Sequence, residues 1–580
     1  MAINTPLARS GLCTLGAMLL LAPSTALSQS PALAHSPATA ELIISGGPIH
    51  TADPERPAAE AVAIAEGRIV RVGTIAEVEA HASAATRRID LNGAALYPGF
   101  TDGHAHLRGI GEREMTLNLE GAASITEAMQ RLADWALEHP DGVIVGRGWI
   151  ETHWPEGRFL ERGDLDAAAP GRVVVLIRAD GHALVASSAA LRAAGVDGQT
   201  PIPFGGDILK DSAGEPTGLL VDTAMALVSG LRPQESEAAR MEAYRAGFSI
   251  YSRMGWTGIH NMSVPWEDVP LIEAMAERGE ASLRVYNSID PGGAQPLMIH
   301  GPRSAGDNRV ITRAIKVYAD GALGSRGAAL FEPYADAPET SGLMLMTPEQ
   351  AMGLYRAALR SGIQITTHAI GDRGNASVLD WYGEVFDTTP RDQWASADPR
   401  WRIEHAQVLR PADFARFAAI PVIASMQPSH AIGDLHFAPA RLGDQRLDGA
   451  YAWASLAAAG VRLAGGSDAP VERGDPLIEF YAAVARRDLA GHQGEDWRGH
   501  EALSRDQALA LFTTGPAYAS FREGELGMIR EGYIADLSVF DIDLMSVPEA
   551  AIPEGRALLT LIDGEVVYAA DDSPVTLDHR

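Results

Sequence analysis

The stretch YPGFTDGHAHLRG, residues 97–109, decides how this chain reads. Apolar residues run up to Phe100. The chain then turns polar and presents His104 and His106 with one alanine between them. Side chains two apart on a strand project to the same side. Both imidazoles can therefore aim at one point, which suits a metal such as zinc. Two hydrogen-bonded histidines at a strand end would look the same, so the remaining strands must discriminate.

Working outward, short apolar β-branched runs alternate with helical patterns. Eight runs read as strands in chain order: AALYPGFTDGHAH, TGIHNMSV, SLRVYNSID, RAIKVYADG, IQITTHAIGD, WRIEHAQV, IPVIASMQPSH and VRLAGGSDAP. Helical stretches such as PEQAMGLYRAALRSG and PADFARFAAI separate several of them. A repeated β-then-α order predicts an α/β protein built on a (β/α)8 TIM-like barrel. The gap after the first strand, about 107–254, is too long for one helix and predicts an inserted subdomain. β-rich segments with glycine turns flank the barrel, 41–96 before it and 520–580 after it. They are expected to join as one β-sandwich domain, leaving 97–519 for the barrel.

The polar residues at the strand ends fall into line. Strand one ends in His104 and His106, strand four carries Lys316, strand five ends in His368, strand six in His405 and strand eight in Asp468. Barrel sites form at the C-terminal ends of strands, so six metal-compatible groups from five strands are expected at one mouth. Lys316 sits in the apolar run IKVYA, where a buried ammonium is costly. Either its amine reaches the mouth or pairs with an acid, or its pKa is depressed. A neutral amine can add carbon dioxide and become a carbamate.

At these residues the chain resembles a known family. GFTDGHAH, IKVYADGALGSRGAAL, THAIGDRGN, RIEHAQ and GSDAPV are similar to motifs of the amidohydrolase superfamily. WPEGRF, RADGHALVASSAAL, DSAGEPTGLLVD and GMIREGYIADLSVFD resemble its type 3 branch, which includes YtcJ-like proteins and N-substituted formamide deformylases. The likeness spans nearly all of the chain after residue 40. It implies a metal-dependent hydrolase of a C–N bond: an amide, N-formyl or N-acyl compound. It also implies that His104 and His106 bind the more buried of two metals. A carboxylated Lys316 would bridge that metal to a second held by His368 and His405, and Asp468 would bind metal and shuttle the proton. Zinc suits these donors, two ions per chain, and iron and manganese suit them too. An esterase or lactonase on the same site, or a non-catalytic periplasmic metal- or small-molecule-binding protein, are the alternatives.

Other residues are substrate candidates. Trp149, His153 and Trp154 lie on the insertion, which emerges at the mouth, though aromatics there equally suit the insertion's own core. His182 is either a pocket group or a structural hydrogen-bonder. Asp320 and Arg326, just past strand four, either face the site or order a loop. Gln427 and His430, after strand seven, are placed to bond a substrate carbonyl, with His430 a second catalytic candidate. GDRGN, 371–375, lacks the spacing of a nucleotide fingerprint.

Composition narrows the partners. The chain has 580 residues, 46% hydrophobic and 21% charged, with net charge −28, a surface that repels nucleic acid and anionic lipid. Arg9 precedes the apolar run GLCTLGAMLLLA, and small residues at Ala26 and Ser28 offer cleavage. Residues 1–28 read as a signal peptide and 29–40 as a flexible leader, so periplasmic or secreted localisation is expected. The run is too short to favour stable membrane insertion. The one cysteine, Cys13, lies inside it, and metal ligands must come from His and oxygen donors. The expected partner is a small amide-like substrate; the sequence leaves a homodimer open.

Overall fold

The structure is a computed structural model. It describes residues 39–231, 235–494 and 497–577. The expected signal peptide and all but the last two residues of the leader lie outside them. Among the described residues no helix is long and apolar enough to cross a membrane.

All eight expected strands form and pair in parallel in chain order. They are Phe100–Ala105, Trp256–Val264, Arg284–Ile289, Val310–Tyr318, Gln364–Ala369, Trp401–His405, Val422–Met426 and Arg462–Gly465. Helices such as Val269–Glu277, Pro348–Ser361 and Asp372–Thr388 lie between them. Local chemistry sets these boundaries. In Pro348–Ser361, Thr347 and Gln350 form a reciprocal capping box and Gly362 ends the helix at φ +69°.

The barrel closes where strand eight meets strand one. The Asp468 N–H donates to the His104 carbonyl at 2.6 Å, and the His106 N–H to the Ala469 carbonyl at 2.8 Å. Glycine is required here: a Cβ on Gly466 would lie 2.3 Å from the His104 nitrogen. Below the mouth the barrel interior is polar. Asn261 bonds Asn287, Asn287 bonds Thr312, and Ser288 bonds Thr366. Ile259, Val285, Ile315, Ile365 and Ile403, on the same strands, join the apolar core.

The β-rich ends meet in one nine-stranded sheet. It takes Leu42–His50, Ala58–Ala65, Arg68–Gly73, Arg87–Asp90 and Ala95–Pro98 from one end. From the other it takes Leu537–Phe540, Ala557–Ile562, Glu565–Ala569 and Thr576–Leu577. The first strand bulges between Ser45 and Ile49 and pairs with Arg87–Asp90 before the bulge and with Leu96 after it. The sheet thus forks around a separate apolar core that includes Ile44, Val62, Leu96, Leu537 and Leu561.

After strand one, residues 117–222 contribute a six-stranded sheet of their own. Helices Leu107–Met115 and Glu237–Met254, which flank it in sequence, pack against each other.

Candidate metal centre

Strand ends deliver the expected side chains to one place. His104 and His106 leave strand one, and Asp468 follows strand eight. The Asp468 Oδ1 lies 3.1 Å from His106 Nε2 and 3.4 Å from His104 Nε2. Lys316 Nζ lies 3.2 Å from His104 Nε2. The His405 ring is 4.9 Å from that of His104 and 4.6 Å from that of His368. His430 Nε2 is 3.7 Å from Asp468 Oδ2. Two triads each bring three ligand atoms within 4.8 Å: His104, His106 and Asp468, and His405, His430 and Asp468. Asp468 is common to both. His368 sits beside them with Nε2 3.3 Å from the Gly321 carbonyl.

Both His405 (φ +72°) and Asp468 (φ +60°) hold the left-handed conformation that β-carbons disfavour. Such strain persists only where the surroundings enforce it, and it gathers at functional sites.

The electrostatics prepare donors. Burial pushes the His104, His368 and His405 imidazoles well below their usual basicity, with Lys316 adding to the effect. Burial lowers His430 as well. Burial alone would raise the Asp468 carboxyl. The adjacent His104 and His106 imidazoles more than offset this and hold it well below the carboxylate range. Burial brings the Lys316 amine down to about 8, so a fraction of it is neutral at neutral pH. Several buried imidazoles converging on one carboxylate form a donor set that suits a divalent metal. His430 Nε2 is buried without a hydrogen-bond partner and is available as a further donor.

Residues behind the ligands hold them in place, and three were not singled out from sequence. Glu404 Oε2 lies 2.5 Å from His104 Nδ1. This carboxylate accepts a hydrogen bond from Nδ1–H and so leaves the Nε2 lone pair facing Lys316 and Asp468. Arg402 Nε sits 2.7 Å from Glu404 Oε1, and its other nitrogens reach the Gly103 carbonyl, His260 and Ser425. Asp102 accepts from the Ser467 N–H, the Ser467 hydroxyl and the Tyr251 hydroxyl, fastening strand one to strand eight. Burial pushes its carboxyl up to about 6 against these bonds. The signal for Arg402 and Glu404 was present in WRIEH. Two opposite charges two apart in an apolar strand share one face, and inside a barrel that face is the interior.

The substrate candidates divide. His182 and His430 line a cavity of about 320 Å³ that reaches His368, His405 and Asp468. His182 Nδ1 lies 2.6 Å from Asp222 Oδ1. Burial pulls that imidazole down, but the bond to Asp222 reverses the effect and raises its pKa. A second opening of about 570 Å³ is lined by Lys316, Tyr318, Arg147 and Met346 and shares His182, His368, His405 and Asp468.

Five expectations are corrected. Trp149 and Trp154 belong to the insertion's core, their indole N–H groups donating to the Leu176 and Ala122 carbonyls. Asp320 lies behind His368, with Oδ1 3.7 Å from His368 Nε2, and its oxygens are taken by the N–H groups of Ala329, Ile370 and Gly371 rather than left for a substrate. It orders the loops after strands four and five. Arg326 pairs with Asp336 at 3.0 Å and lines neither of the two openings. Gln427 turns its Oε1 to His405 Nδ1 at 2.7 Å, so it orients that imidazole rather than a substrate. The side chain of His153 lies outside what the structure describes.

A parallel eight-stranded barrel with this imidazole–carboxylate cluster at its C-terminal mouth has the architecture of a metal-dependent hydrolase. The chain belongs to the amidohydrolase family, whose model matches residues 87–568. It is 34% identical over 539 residues to the YtcJ protein of Bacillus subtilis (strain 168), covering 90% of this chain and 98% of that one. It is 28% identical over 557 residues to an N-substituted formamide deformylase of Arthrobacter pascens, covering 91% and 98%. Among solved structures it resembles an uncharacterized metal-dependent hydrolase of Pyrococcus horikoshii OT3. The TM-score is 0.70 at 25% identity, over 88% of this chain and 99% of that chain.

Proposed function

We propose that this hydrolase cleaves the C–N bond of a small amide, N-formyl or N-acyl compound, with Asp468 relaying the proton. The observation that carries the reading is the place of Asp468. Its two oxygens lie between the His104–His106 pair and His430, and it borders both cavities. The name of the Arthrobacter relative, an N-substituted formamide deformylase, points to the same bond class.

His104, His106, Lys316, His368, His405 and Asp468 would hold the metal. We take the metal as two zinc ions, for which Lys316 would offer its oxygens as a carbamate; iron or manganese would suit the same donors. When bound, a divalent metal polarises a carbonyl and acidifies water. The chain supplies the rest. Asp468, as the ionised carboxylate, accepts the proton of the attacking water and delivers it to the leaving nitrogen. His430 is placed to donate to the substrate carbonyl oxygen as charge develops there. Glu404 and Gln427 fix the rings of His104 and His405. We further propose that the chain is exported to the periplasm after loss of residues 1–28 and that it acts on a small molecule, alone or as a homodimer.

The test is a matched panel of N-formyl and N-acetyl amines and the corresponding esters, offered to the metal-loaded protein. The account expects amides to be cleaved with higher kcat/KM than the esters. Cleavage of esters or lactones alone would assign the site to another hydrolysis.

A further inference from the structure

The cavity beside His430 is lined with carboxylates that lack cations. Asp434 ends the helix Pro428–Asp434, Glu472 lies in the loop after strand eight, and Glu479 lies on the helix Pro476–Ala485. A Cβ on Gly433 would lie 3.9 Å from Glu472 Oε1, which sets this carboxylate against the Pro428–Asp434 helix. The same oxygen is 3.8 Å from His430 Nε2.

The cations that line this cavity are committed elsewhere. Arg178 is held by Glu151 at 2.8 Å and Asp180 at 2.5 Å. Arg473 is exposed and faces Glu120 at 3.4 Å. Among the described residues no lysine or arginine lies within ion-pair distance of Asp434, Glu472 or Glu479. Asp434 accepts from Gln407 and Tyr451, both uncharged. Glu479 is 1% exposed; its Oε2 accepts from the Ser429 N–H, and its Oε1 is buried with no hydrogen-bond partner. An orphan carboxylate oxygen on a cavity wall is costly unless a ligand satisfies it.

We propose that this chamber takes a cationic group of the substrate, an ammonium or guanidinium seated among Asp434, Glu472 and Glu479 while the scissile bond lies at Asp468. The inference rests on the C–N hydrolase reading for the second half of that statement only. A bound cation supplies the counter-charge and the hydrogen-bond donors that these three side chains lack, whereas a neutral or anionic group does not.

Two measurements on the metal-loaded protein separate this idea from the reaction. The first compares kcat/KM for N-(4-aminobutyl)acetamide, the uncharged N-pentylacetamide and the anionic 5-acetamidopentanoate. The second compares calorimetric binding of butylammonium and butan-1-ol, neither of which has a scissile bond. The expected result is a preference of about tenfold or more for the cation in both. That preference should fall toward unity in Glu472→Gln and Glu479→Gln, with metal content and melting temperature checked for each. Asp434→Asn provides a further variant if one fails to fold. Tight butylammonium binding with no amide cleaved would support the chamber and refute the reaction. Amide cleavage without any preference for the cation, or a preference that survives the variants, would overturn the chamber and leave the reaction standing.

Discussion

Replacing Glu404 with glutamine tests whether the charges inside the barrel prepare the metal site. Glu404 and Arg402 are both fully buried. The carboxylate accepts a hydrogen bond from His104 Nδ1–H at 2.5 Å and faces Arg402 at 2.7 Å. An amide keeps the shape but removes the charge, and it turns an N–H₂ toward either Arg402 or His104. One of those donors is then left without an acceptor. Partners of this kind typically contribute 10–100-fold to metal affinity, or ~1.4–2.8 kcal/mol. The Arg402 guanidinium would remain buried against the Gly103 carbonyl, His260 and Ser425 without a counter-charge, which costs ~3–5 kcal/mol of fold stability. Glu404→Gln should therefore bind metal about 10–100-fold more weakly and melt at lower temperature. The assay is competition with a chromophoric chelator, run on protein shown by circular dichroism to be folded. Metal affinity within about twofold of wild type in a folded variant would refute the reasoning, because His104 would then need no carboxylate to orient it.

Lys316→Ala should lose bound metal and turnover, and a short carboxylic acid with added bicarbonate should restore part of both; a variant that keeps all its metal and full turnover removes the carbamate. Trp149→Ala should destabilise the fold by ~3–5 kcal/mol in denaturant titration and leave substrate preference unchanged. A shift in substrate preference with normal stability would return Trp149 to the cavity wall.

The barrel was legible because each strand carried its own local signature. RAIKVYADG and IQITTHAIGD are short, β-branched and bounded by glycine, and their last residues fall at the mouth whatever packs around them. That His104, His106, Lys316, His405 and Asp468 gather at one mouth was legible for the same reason, since position along a strand fixes depth in a barrel. Direction at loop positions was not. Asp320 in ADGALGSRG reads equally as a group facing substrate or as an acceptor for three backbone N–H groups. Only the fold of the loops after strands four and five decides between them. Trp149 and Trp154 failed similarly, because an aromatic that lines a pocket and one that fills a core have the same sequence signal. Gln427 was placed near the mouth, but its amide faces His405 through a contact between different strands. The carboxylates of the cationic chamber come from separate segments and share no spacing that a sequence pattern could show.

The most direct test of the central claim is turnover of Asp468→Asn, measured together with its metal content and melting temperature. The substitution keeps an oxygen that can face His104 and His106 but removes the ionised base. General acid–base groups contribute ~10²–10⁴-fold, and a thousandfold loss is ~4 kcal/mol in the barrier. The account expects turnover on the best amide to collapse by that order while His104, His106, His368 and His405 retain most of the metal and the fold melts near its normal temperature. Wild-type turnover with metal retained would contradict it and remove Asp468 from the proton path.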